Sequence, residues 1–411
     1  MNPHVYPAFL LTFVNVLGFS LLLPVLPFVV EQYGGSKAVY GALLSSYSIF
    51  QALGAPYLGK LSDSIGRKPV LMISQAGTLL SWLIFGLAYF IPNTPILGLA
   101  VPLIVIAFSR VLDGITGGNN AVAQAYLTDI TTKEEKNTIF GTVGGIVGIG
   151  FIIGPGVGGY LASGPYGYLG MVVGAACLST VTLISIAVGL KESLQPENRR
   201  PRTQEPILNA LRLIHRIRRL NPAPIIVNIF TIRAVFNIMM SAYIATIALF
   251  MIDLFAFNEQ ELGLFLLVVG VFIAFNQAII SKWFIKKIGA YQTMRLGIFL
   301  SIFGLISITL TDNLWLYIGL YYFLNLGISL TIPCFNTLLA QHADPKEAGE
   351  VMGISGSIVS IANAVIPIIA ATLYGIYGPS LYLGLALLPI FCLLVCKSKF
   401  HEMPLSEEAQ Q

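Results

Sequence analysis

Apolar runs of membrane-crossing length recur from one end of this chain to the other, and nothing else in the sequence restricts its fold as much. A helix needs about 20 predominantly apolar residues to cross the hydrocarbon core of a bilayer. Runs of that order fall at residues 5–30, 39–61, 69–91, 96–127, 138–162, 168–190, 223–252, 260–284, 291–311, 314–340, 348–375 and 379–396. Only 10% of the 411 residues are charged and 56% are hydrophobic, where soluble domains carry about one quarter charged residues. Such a chain folds in a membrane, as twelve helices. The first run is longer than a signal-peptide core, lacks a basic leader and offers no small-residue cleavage site before Glu31, so it is expected to stay as a span.

The longest hydrophilic stretch splits the runs six and six. The expected organisation is an N-terminal six-helix bundle over 1–190, a linker over 191–222, a C-terminal bundle over 223–397 and a tail over 398–411. Lys and Arg gather in alternate loops: Lys60, Arg67 and Lys68, then Lys133 and Lys136, the linker arginines, Lys282, Lys286 and Lys287, Lys346, and Lys397 and Lys399 at the C-terminal end. The opposite loops hold Lys37 and little else. By the positive-inside rule both termini and the linker face the cytoplasm, and a multi-pass protein of the inner (plasma) membrane is expected. In the linker, Ile207, Leu211, Ile214 and Ile217 share a helical face with Arg212, Arg216 and Arg219 largely opposite. That pattern suits a helix lying on anionic lipid, and equally a solvated basic tether.

Several function classes are excluded. His4, His215, His342 and His401 all lie in termini or cytoplasmic loops, and no glycine-rich phosphate loop follows a strand. The sequence therefore points away from an enzyme and from ATP as the energy source. Cys177, Cys334, Cys392 and Cys396 sit inside apolar runs with no His nearby in sequence, which suits packing. No metal, cofactor or nucleic-acid partner is expected.

Three stretches carry more specific information. GKLSDSIGRKPVL (59–71) places Gly59, Asp63, Gly66 and Arg67 in a charged interruption. The glycines allow close packing and a tight turn, Asp63 can face the positive end of a helix, and Arg67 can pair with a carboxylate. Asp129, at the end of the fourth run, is the expected partner of Arg67. Placing Gly289 on Gly66 lays KWFIKKIGAY over GKLSDSIGRK, an internal repeat of the kind found in secondary transporters. SRVLDGITGGNNAVAQAYLTDIT (109–131) holds Arg110, Asp113 and Gly114. GIGFIIGPGVGGY (148–160) spaces Gly150, Gly154 and Gly158 by four residues and adds Pro155 and Gly159, a seam for close helix packing with a permitted bend.

The first stretch resembles the signature loop between the second and third helices of the major facilitator superfamily. The second resembles that family's arginine motif, and the third the motif of its antiporters and exporters. With LLLPVLPFV in the first run, the chain looks most like the tetracycline-efflux-type branch of drug:proton antiporters. The resemblance implies an all-α membrane fold of two six-helix bundles around a central cavity, working by alternating access. It also implies that the Asp63 loop latches the outward-facing state, with Asp63 capping the helix that begins near Gly349.

Ionisable residues inside spans are costly and usually functional. Arg110 and Asp113, three apart, share a helical face that continues through Gly117, Asn120 and Gln124. Arg110 favours the charged form of Asp113 and burial favours the neutral one, so this carboxylate is the expected proton site. Arg233, with Asn237 one turn on, is expected to face the cavity or to pair, Asp113 being one candidate. Tyr322, Asn325 and Asn363, with Asn276, complete the polar set. Asn15 stands where the branch commonly carries Asp; it cannot titrate, which places the proton elsewhere and argues against tetracycline itself.

The expected function is proton-coupled export of a small amphipathic organic compound, driven by an ion gradient in contact with membrane lipid, by a monomer. An importer or exchanger of an anionic metabolite or siderophore-like chelate is the alternative, with Arg110 and Arg233 binding the anion. A non-transporting membrane receptor or scaffold is a third.

Overall fold

The computed structural model describes residues 4–399 apart from 97, 133 and 200–212. Its helices are α1 (Val5–Leu22), α2 (Leu26–Gln32), α3 (Lys37–Ile65), α4 (Arg67–Leu87), α5 (Val101–Gly117), α6 (Asn120–Ile130), α7 (Lys136–Ala162), α8 (Tyr168–Gly189), α9 (Leu213–Leu220), α10 (Pro224–Phe255), α11 (Glu259–Phe275), α12 (Lys282–Ser307), α13 (Leu314–His342), α14 (Ala348–Tyr377) and α15 (Leu381–Lys399). Among the described residues, nine stretches are long and apolar enough to cross a membrane. Two of them, Glu259–Ser307 and Ala348–Cys396, each contain two runs read from the sequence. The remaining run is α3, whose C-terminal end carries the charged loop residues. Leu83, Phe108, Val188 and Leu394 stand exposed on outer faces, as lipid-facing side chains do.

Two runs are broken where the sequence suggested continuous spans. Residues 5–30 form α1 and α2 because Pro24 and Pro27 lack the N–H that a helix interior needs, and Pro27 falls in the first turn of α2. The run 96–127 opens with a two-residue hairpin, β1 (Pro95–Ile96) with β2 (Leu99–Ala100), and is interrupted at Gly118–Asn119. Gly118 lies against the backbone of Ala55 in α3, where a Cβ has no room. Of the linker helix read from the sequence, Ile207, Leu211 and Arg212 lie outside the described residues, and Leu213–Leu220 is helical. Lys133 and the chain beyond 399 are outside them too.

The internal repeat has a backbone counterpart. Gly66 adopts φ 109, ψ 158 between α3 and α4, and Gly289 adopts φ 80, ψ 160 inside α12. This region is essentially closed to residues with a Cβ, so each glycine turns one helix into the next without an intervening loop.

The chain packs as two compact units. The first comprises Met1–Leu211, Ala242–Val271 and Asn363–Gly378. In it α7 lies on α1 along the glycine seam: a Cβ at Gly150, Gly154 or Gly158 would meet Val16, Ser20 or the carbonyl of Leu21. The same helix turns Gly159 and the carbonyl of Pro155 toward Glu259 and Gly263 of α11. Helix α3 packs on α5 at Gly54 and Gly114, and on α14 at Gly41, which lies against Pro367 and Ala371. The second unit comprises Arg212–Ser241, Phe272–Ala362 and Pro379–Gln411. Its core is α12 on α13, in close approach at Gly297, Gly304 and Gly327.

Candidate functional site

In the first unit, Asp113 is the one buried carboxylate among the described residues, 5% exposed, and Arg110 is 2% exposed. Their placement follows from helical geometry: three residues apart on α5, they share a face, and Arg110 Nη1 lies 3.0 Å from Asp113 Oδ2. The guanidinium stands over the rings of Trp82 (5.0 Å) and Phe85 (5.5 Å) of α4, which holds it in an aromatic wall. Its Nε and Nη2 are buried with no acceptor among the described residues. Each orphaned donor costs on the order of 1–3 kcal/mol. The pair is thus under-satisfied in hydrogen bonds.

Around it the polar stripe is only partly assembled. Asn15 of α1 donates from Nδ2 to Asn119 Oδ1 (2.6 Å) and Asn120 Oδ1 (3.1 Å). Asn119, at the α5–α6 break, is a partner that periodicity could not single out. Gly117 lies against the Tyr47 hydroxyl, which accepts from Gln51 Nε2 at 3.0 Å. Gln124 and Asn363 are exposed on α6 and α14. Asn120 is half-buried, closer to Asn15 than to the ion pair in its bonding.

The charged loop forms a second cluster. Arg67, 9% exposed, donates from Nη1 to Asp63 Oδ1 (2.6 Å) and Ser62 Oγ (2.6 Å), and from Nε to Asp129 Oδ2 (3.2 Å). Asp63, at the end of α3, therefore binds the first residue of α4, four residues on across the Gly66 turn. Gly59 lies free of close neighbours, whereas a Cβ on Gly66 would meet the Glu192 carboxylate. Glu192 was not singled out from the sequence. It accepts the first backbone N–H groups of α4, from Arg67 (2.8 Å) and Lys68 (3.2 Å), and so places negative charge at that helix's positive end.

At the other end of α3, Lys37 Nζ lies 2.5 Å from Asp253 Oδ2 and 4.8 Å from the centroid of Tyr374. Four and eight residues along, Gly41 touches α14 and Ser45 Oγ accepts the Ile368 N–H at 3.1 Å. These contacts join residues more than two hundred positions apart, and no local signal marks them.

In the second unit, Arg233 of α10 donates from Nη1 to Asn336 Oδ1 of α13 (2.7 Å) and stands over Phe335 (5.6 Å). Asn237 donates to the Arg233 carbonyl at 2.8 Å. The partner of Arg233 is a neutral amide, and the partner of Asp113 is Arg110. Tyr322 donates to Asn276 Oδ1 at 3.0 Å, joining α13 to a π-helical turn at Asn276–Ser281. Asn276 Nδ2 and Asn325 Oδ1 are buried without partners among the described residues.

The chain's likenesses agree with this architecture. A profile of the Major Facilitator Superfamily matches residues 8–367. The class H tetracycline resistance protein of Pasteurella multocida is 25% identical over 426 residues, covering 100% of this chain and 99% of that protein. The class C tetracycline resistance protein of Escherichia coli is 28% identical over 363 residues, covering 88% and 87%. Among solved structures, the human organic anion transporter MFSD10 (TETRAN) superposes with a TM-score of 0.69 at 21% identity, over 96% of this chain and 100% of that one. A bacterial homologue of the human lysosomal transporter Spinster, inward-facing and unoccupied, gives 0.76 at 13% identity, over 96% and 95%. With a family match over most of its length and a fold to suit, the chain belongs to the Major Facilitator Superfamily of membrane transporters.

Proposed function

We propose that this transporter is a proton-coupled exporter of a small amphipathic organic compound, acting as a monomer in the inner membrane with both termini cytoplasmic. The observation that carries the reading is the buried Arg110–Asp113 pair, in which the guanidinium nitrogens Nε and Nη2 have no acceptor among the described residues. Protonation of Asp113 removes the countercharge of Arg110; loss of the proton restores it. A site with two such states binds its substrate differently in each, which is the differential affinity that alternating access requires. The small-residue packing of α7 and the tetracycline resistance relatives support the export direction. Asn15, with no titratable proton, leaves Asp113 to do the coupling.

Two charged clusters serve as latches in this reading. The Asp63–Arg67–Asp129 cluster, with Glu192, braces the cytoplasmic end of α3 and α4. The Lys37–Asp253–Tyr374 cluster braces the opposite end of α3 against α10 and α14. Both partners in the ion pair Lys37–Asp253 are 35% exposed, so it contributes at most about 1 kcal/mol to stability. Its expected effect is on the transport cycle: Lys37→Asp alone slows transport, and adding Asp253→Lys restores much of the rate while leaving the melting temperature nearly unchanged. Equal rates for the single and double variants would remove Lys37 from the latch.

The function itself is tested in inside-out vesicles carrying a pH gradient, challenged in turn with amphipathic cations, anions and chelates. A compound that collapses the gradient only when the chain is present supports the exporter. A labelled compound that crosses without any proton movement contradicts the coupling.

A further inference from the structure

We propose that Arg233, Asn336 and Phe335 form an anion-recognition subsite in the second unit, and that the transported compound carries a carboxylate or enolate. The proposal rests on the transport reading above and specifies its substrate.

Arg233 lies nine residues into α10, about 14 Å from the start of that helix at about 1.5 Å per residue. The helix, at about 48 Å, is longer than a hydrocarbon core about 30 Å thick, so Arg233 lies within the span but nearer its start than its middle. A guanidinium there is expensive unless it is compensated. Among the described residues the ion pairs are Lys37–Asp253, Arg67–Asp63, Arg67–Asp129 and Arg110–Asp113, and Arg233 is in none of them. Arg110 is cancelled by Asp113 on its own helix; Arg233 meets only the neutral Asn336 amide and the face of Phe335. An Arg held this way is positioned but not neutralised.

The contacts leave part of the guanidinium unpaired. Asn336 occupies Nη1, Phe335 covers one face, and Nε is buried with no partner among the described residues. The edge formed by Nε and Nη2 is the fork that receives a carboxylate in two parallel hydrogen bonds. Asn336 is exposed and Arg233 half-buried, so the cluster reaches the surface of the unit although Nε itself is buried. Phe236, edge-on to Phe335 with centroids 5.9 Å apart, extends an apolar wall beside the cation. An anion attached to a planar apolar body fits this combination, whereas a cationic amphiphile would meet an uncancelled positive charge.

The test uses the purified full chain in detergent and three probes with the same ring system: naphthoate, its methyl ester and a naphthyl trimethylammonium cation. Native protein is expected to bind naphthoate about tenfold or more tightly than the ester, the scale of a charge-assisted, hydrogen-bonded pair. Arg233→Gln should remove that preference and leave ester binding unchanged, which also reports that the variant is folded. Arg233→Lys, keeping the charge without the fork, should retain an intermediate preference, and it keeps the test alive if Arg233→Gln does not fold.

Native protein that fails to distinguish naphthoate from its ester, including by binding neither, overturns the proposal. So does undiminished naphthoate preference in Arg233→Gln. The transport reading fails separately: naphthoate preference lost in Arg233→Gln, with no proton movement in native vesicles, keeps the anion subsite and removes the coupling.

Discussion

Asp113→Asn is expected to abolish proton coupling and to destabilise the protein by about 3–5 kcal/mol, the cost of removing one partner from a buried ion pair. The mechanism is specific. Arg110 already has two buried donor nitrogens, Nε and Nη2, without acceptors among the described residues; the variant also leaves its charge uncompensated against Trp82 and Phe85. Replacing both members, Arg110→Gln with Asp113→Asn, should recover most of the stability, because a neutral pair has no charge to desolvate. It should not recover coupling. Denaturant or thermal unfolding in detergent reads the first effect and vesicle proton movement the second. If Asp113→Asn is as stable as the native chain, the pair is not electrostatically buried as described.

Gly158→Leu is expected to cost at least about 3 kcal/mol, at or beyond the upper end of ordinary overpacking, and to reduce the yield of folded protein sharply. At this position the neighbour is the backbone carbonyl of Leu21, which cannot turn aside as a side chain can. Gly148→Leu on the same helix is the control. Nothing lies within 4 Å of a Cβ there, and the position is exposed. Leucine is the better helix former by roughly 0.5–1 kcal/mol, so this variant should be neutral or slightly stabilising. Equal losses at the two positions would show that the run needs glycine for bending rather than for the contact between α7 and α1.

What could be read from the sequence depended on range. Span lengths are a local property set by bilayer thickness, and the membrane fold was legible from them alone. The glycine pair Gly66 and Gly289 was legible because a backbone conformation closed to other residues leaves its mark in the residue type. The three-residue spacing of Arg110 and Asp113 placed them on one helical face, and their 3.0 Å contact follows from it. Breaks in the helices were less legible, since Pro24 and Asn119 are tolerated in spans whenever neighbours satisfy the freed backbone. Contacts between distant elements left no local trace at all. Lys37 looked like a stray charge until Asp253 and Tyr374 stood beside it, and Glu192 looked like linker until it sat on the first N–H groups of α4. Arg233 posed a question that the sequence raised, and the neutral Asn336 is an answer that only the fold could supply.

The central claim is that one proton and the substrate are exchanged through Asp113. The most direct measurement is proton release on substrate binding, followed with a pH indicator in lightly buffered detergent solution, using the compound identified in vesicles. Native protein should release protons as the site fills, up to one per chain, and Asp113→Asn, fixed in the neutral form, should bind the same compound more weakly and release none. Equal release from both proteins, or binding to the native chain without any release, would contradict the account.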